Sequence, residues 1–149
     1  MQVVSNLRRW MREMTWRIDQ TNLSVGSGGM DGTTYNDLPN FPLETSPEQI
    51  SFLKPATAIR LLELINEKDA INIKIQWSLW AEEDVDEGHE AKLFLDVAAL
   101  CKLMSLQVGW PDELYFDHYK TMMNERLDKI AKAETTVPFS ITLGAILNK

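Results

Sequence analysis

The residues best equipped for chemistry stand together from Glu82 to Glu90, where EEDVDEGHE places six carboxylates and His89 without a lysine or arginine. Carboxylate oxygens in such number suit a hard cation such as Mg2+ or Ca2+. The spacing does not make a calcium loop. Asp84, Asp86 and Gly88 match its opening, but the glycine already occupies the third ligand position, and Leu95 stands where the closing glutamate belongs. The same charge suits a solvated acidic loop at a helix start, where the helix dipole favours negative groups. No metal site is assigned.

Other chemistry-bearing residues are scattered. Cys101 is the single cysteine and sits in the most apolar stretch of the chain, where a lone thiol acts as a small core hydrophobe. His118 lies within Asp117-His118-Tyr119, with no nucleophile placed beside it by spacing. The GSGG run at 26–29 lacks the Lys-Ser/Thr of a phosphate-binding loop and no strand leads into it. The sequence therefore predicts no catalytic residue and no cofactor.

Acidic helices followed by Asp96-Val97-Ala98-Ala99-Leu100 resemble the all-helical nucleotide pyrophosphohydrolases of the MazG type. That resemblance implies Mg2+ held by Glu-Glu-x-x-Glu on one helix and Glu-x-x-Asp on the next. This chain departs from it at both motifs. Leu93 stands at the glutamate position of the second, and the preceding helix offers only Glu63 and Glu67 for the first.

The elements around these residues can be read from periodicity. His89 to Val108 is apolar around most of a helical circumference, with Lys92, Asp96 and Gln107 on a narrow polar strip, so it is expected to be a central helix. Gly109-Trp110-Pro111 ends it, and Phe116, Tyr119, Met123, Leu127 and Ile130 mark a second helix over about 111–133. The short connection predicts an antiparallel hairpin of 89–108 and 111–133. Its expected core is Leu93, Val97, Leu100, Cys101, Met104, Phe116, Tyr119, Met123 and Leu127.

Residues 1–20 read as an N-terminal amphipathic helix with Val3, Leu7, Trp10, Met14 and Ile18 on one face. This segment carries a balance of +2, from Arg8, Arg9, Arg12 and Arg17 against Glu13 and Asp19. The rest of the chain stands at −9, giving −7 in all. With Trp10 and Trp16 the arginines suit either a helix that lies on a membrane or docks on a partner, or an ordinary first helix whose arginines are solvated or paired with acidic residues of the same chain. Residues 21–55 form a Gly/Pro-rich loop or arm in which Tyr35, Leu38, Phe41 and Leu43 are apolar anchors, and Ser46-Pro47-Glu48-Gln49 has the form of a helix start. A helix is expected from Ala56 to about Lys68. From Ile71 the period changes to two: Ile71, Ile73, Ile75, Trp77 and Leu79 alternate with polar residues, as do Val137, Phe139, Ile141 and Leu143. The pair predicts a small two-stranded β element, within one chain or between chains, and the alternative for the first segment is one continuous helix over 56–81, with tertiary contacts overriding the alternation.

The expected fold is thus mainly α: one domain of 149 residues, with 56–149 as helical core and strand-like tail. No uncharged apolar run is long enough to span a bilayer, and the acidic body disfavours nucleic acid. The expected function is a non-catalytic protein–protein interaction protein, a small subunit or connector of a larger assembly, in the cytoplasm or as a virion component. Its partner is a protein or a second copy. The proposed contact residues are Arg8, Arg9, Trp10, Arg12, Trp16, Tyr35, Phe41, Trp77 and Phe139. The alternatives are an acidic inhibitor or immunity-type protein masking a basic site, and a helical divalent-metal nucleotide hydrolase.

Overall fold

A computed structural model describes residues 2–26, 37–39, 53–81, 87–111 and 113–147, with side-chain surroundings for 3–20, 37–39, 53–81, 88–111 and 113–133. Four long helices account for nearly all of these residues: α1 Gln2–Gly26, α2 Pro55–Ala81, α3 Glu87–Gln107 and α4 Asp117–Leu147, the last preceded by a 3-10 turn at Leu114–Phe116. The chain is mainly helical, with no strand among the described residues.

Helix α3 packs against α1, α2 and α4 and so holds the central place that its apolar circumference implies. Leu93, Phe94, Val97, Leu100, Cys101 and Met104 are buried there. Burial does not extend all round, however. Leu103, Leu106 and Val108 at its C-terminal end are exposed. From the following segment Phe116 and Met123 enter the core, while Tyr119 and Leu127 pack partly buried against it.

The α3 end has a specific local cause. Gly109 adopts φ +73°, a left-handed conformation in which a side chain would be strained. With it in place, Trp110 N–H donates to Ser105 O at 2.9 Å and Gly109 N–H to Leu106 O at 3.4 Å, the six-to-one and five-to-two pattern of a Schellman cap. The helix stops there and the chain turns toward α4.

Helix α1 buries the whole expected stripe of Val3, Leu7, Trp10, Met14 and Ile18, with Val4 and Met11 widening it. It also runs on to Gly26, so residues 21–26, expected to open the loop, belong to the helix. The helix start expected at Ser46-Pro47 lies outside the described residues.

The two-stranded element is replaced by helix. Residues 71–79 continue α2 without a break to Ala81, and 137–143 lie within α4. The physical reason is visible on α2. Thr57, Leu61, Leu64, Lys68, Ile71 and Ile75 are its buried residues, at spacings of four, three, four, three and four. Ile71 and Ile75 therefore extend a helical stripe begun about four turns earlier, at Thr57. Thr57 and Lys68 interrupt that stripe chemically and hide it, although Lys68 takes its charge to Asp69 at 2.7 Å.

A strand would put Ile73 and Ile75 on one face, whereas the helix leaves Ile73 70% exposed and Ile75 1% exposed. Replacing Ile75 by Ala should cost about 2–5 kcal/mol in chemical denaturation. The Ile73→Ala change should stay within about 0.5 kcal/mol. Equal losses at the two positions would contradict the helix.

Candidate interaction surface

The arginines of α1, among them the proposed contacts Arg8, Arg9 and Arg12, are engaged inside the chain. Arg17 reaches α3, where its Nε lies 2.6 Å from Glu90 Oε1 and its Nη2 3.5 Å from Oε2, with side chains 4% and 3% exposed. Arg8 is also buried. Its Nη2 donates to Ser105 Oγ at 3.0 Å and to Pro111 O, its Nη1 to Glu113 Oε1 at 3.3 Å, and its guanidinium stands 5.6 Å from the Trp110 ring centre. Arg12 shares Glu113 at 2.8 Å, and Arg9 lies 4.0 Å from Glu13 on the same exposed face. The α1 arginines thus pair with carboxylates of their own chain, the second of the two uses the sequence allowed.

Trp10 is likewise internal: fully buried, it donates its Nε1–H to Pro39 O at 2.7 Å. Trp16 is exposed on the outer side of α1. The side chains of Tyr35, Phe41 and Phe139 lie outside the described residues. Among the described residues, the proposed contact Trp77 stands in a concave apolar site.

That site forms where residues 37–39 cross α2. Each residue of this short strap is tied down. Asp37 O accepts from Arg17 Nη1 at 3.4 Å, Leu38 N–H donates to Asn72 Oδ1 at 2.7 Å, and Pro39 O accepts from Trp10. Leu38 is buried below. On top, Gln76 Nε2 donates to Asp37 Oδ1 at 2.8 Å. Between strap and helix opens a groove of about 570 Å³ lined by Asp37, Asn72, Ile73, Gln76, Trp77 and Trp80.

Ile73, Trp77 and Trp80 follow the helical spacing of four and three and form a second apolar stripe, outside the buried one. Trp77 is 62% and Trp80 76% exposed, their ring centres 5.2 Å apart at 38°. Sequence reading found Trp77 but missed Ile73 and Trp80, although their spacing from Trp77 was legible once the segment was taken as helix. Asp37, Asn72 and Gln76 carried no such signal, because the strap meets α2 only through tertiary folding.

The acidic residues are also largely committed. Glu90 belongs to Arg17, and residues 82–86 lie outside the described part. Glu63, Glu67 and Asp96, nearest in kind to metal ligands, all lie within ion-pair distance of Arg60, at 3.0, 3.7 and 3.2 Å. A guanidinium thus serves these carboxylates. A smaller hollow of about 210 Å³ is lined by Glu67, Lys74, His89 and Lys92 among others, with Lys74 Nζ 3.2 Å from His89 Nε2. No group of three or more potential ligands gathers for a metal among the described residues. No helix among them is long and apolar enough to cross a membrane.

Compared with known proteins, the chain matches no protein-family model, no curated protein and no solved structure.

Two titrating groups report on the packing. Burial pushes the Cys101 thiol above its usual 9.0, against a smaller lowering by Arg8 and Ser105. Tyr119 is raised by burial and by the hydrogen bond it donates to Asp19 Oδ2 at 2.9 Å. In both cases the unfolded chain loses its proton first, so stability is full below the unfolded pKa and falls as pH rises toward the folded one. The denaturation midpoint should decline from about pH 9 upward, and Cys101→Ala with Tyr119→Phe should flatten that decline. An unchanged slope in the double variant would contradict these placements.

The buried ion pair gives a second prediction. Arg17→Met should destabilise by about 3–5 kcal/mol, since it leaves the Glu90 carboxylate buried alone. Arg17→Met with Glu90→Leu should lose less than Arg17→Met by itself, and additive losses would speak against direct pairing.

Proposed function

We propose that the protein is a non-catalytic interaction protein, a small subunit or connector of a larger assembly, that docks a protein partner on the outer stripe of α2. The observation that carries this reading is the exposure of Ile73, Trp77 and Trp80 around one groove. Apolar side chains gathered at a concave surface mark binding sites, and tryptophan recurs at interface hot spots. On this reading α3 and α4 form the antiparallel hairpin that scaffolds the surface. The chain works in the cytoplasm or as a component of a virion. Arg9, Arg12 and Trp16, which keep exposed surface on α1, are secondary contacts.

A reading as an acidic inhibitor of a basic target is favoured by the net charge of −7. It uses the same surface and differs in what the partner does. The nucleotide-hydrolase alternative has less to support it, because Arg60 already neutralises the carboxylates it needs.

Light scattering on material isolated with its native partners should give a mass above the 17.1 kDa of the single chain. Trp77→Ala with Trp80→Ala should release a 17.1 kDa species of unchanged helicity. A wild-type chain that stays at that mass in its native setting, or a complex indifferent to both substitutions, counts against the reading.

A further inference from the structure

Resting on the docking role given to α2, we infer that the groove takes a basic segment of another protein, whose lysine or arginine stems lie against Trp77 and Trp80 and whose cation meets Asp37. Ile73, Trp77 and Trp80 form apolar walls, and Asp37 is the one charged residue of the lining among the described residues. Gln76 fixes its carboxylate through Oδ1, and Asp37 forms no salt bridge among the described residues. A carboxylate at the edge of two indole faces selects a group that is apolar along its length and positive at its end. Lysine and arginine have that form, and indole faces attract their cations.

The charge of the whole chain points the same way. At −7 it draws a basic partner and repels a second copy of itself. Among the described residues neither lysine nor arginine lines the groove, so these residues offer a phosphate backbone or an anionic lipid headgroup no counter-charge. The volume of about 570 Å³ holds a few side chains rather than a whole domain.

The probe is a tryptophan-free amphipathic helical peptide of alanine, leucine and arginine, about 18 residues or five turns long, beside the same peptide with glutamate for arginine. Tryptophan emission of the intact chain reads the binding. The arginine peptide should bind saturably and the glutamate peptide should not, with affinity falling as salt rises. Trp77→Ala should weaken binding about tenfold or more, and Asp37→Asn about threefold. Leu114→Ala, at an exposed position that does not line the groove, should leave it unchanged.

Equal binding of the two peptides, or arginine-peptide binding indifferent to Trp77→Ala, overturns the inference. Failure of both peptides overturns it too, and the remaining arms then decide the docking role. Self-association lost in Trp77→Ala keeps the docking surface and assigns it to a second copy. Trp77-dependent binding to phosphatidylcholine or phosphatidylglycerol vesicles assigns the surface to lipid instead. Absence of every one of these, with no effect of Trp77→Ala on the native complex, withdraws the docking role as well.

Discussion

The ion pair between Arg17 and Glu90 constrains the arrangement more than any other single contact. Two charges removed from water are costly unless each meets the other with good geometry, and here Nε and Nη2 both face one carboxylate. The pair joins α1 to the first turn of α3, where a negative side chain is also favoured by the helix dipole. Its reach goes further, because the third nitrogen of Arg17 holds the Asp37 carbonyl. Through that bond the interior of the bundle sets the edge of the groove on its surface.

Arg8 plays a comparable part at the other end of α1. It gathers Ser105, Pro111 and Glu113 around one guanidinium and so fixes the turn between α3 and α4 that the Gly109 cap begins. Arginine suits this use, since its planar fork satisfies several acceptors at once. With α1 held at both ends, its stripe from Val3 to Ile18 completes the core over α3. The side of α2 turned away from that core keeps Ile73, Trp77 and Trp80 exposed.

Much of this was legible where a pattern was local and chemically pure. The α1 stripe and the burial of α3 follow from spacing alone, and each has the side chains that spacing demands. The α2 segment was misread because two periods coexist there. Its buried stripe passes through Thr57 and Lys68, which do not look apolar, while exposed Ile73, Trp77 and Leu79 supply a false alternation with buried Ile71 and Ile75. Apolar residues left in water are the kind that mislead a pattern built on burial. The arginine contacts were illegible for another reason: Glu90 lies 73 positions from Arg17, and Glu113 lies 105 from Arg8. Charge at such separation shows a balance but not a partner.

The claim at the centre of this account is a division of labour among the tryptophans, with Trp10 inside and Trp77 and Trp80 outside. Hydrogen exchange of the indole N–H groups in the isolated chain, followed residue by residue by NMR, tests it most directly. Trp10, bonded to Pro39 O, should exchange slowly, while Trp77 and Trp80 exchange at the rate of free indole. Protection of Trp77 and Trp80 equal to that of Trp10 would contradict the account, because the α2 stripe would then belong to the interior and not to a partner.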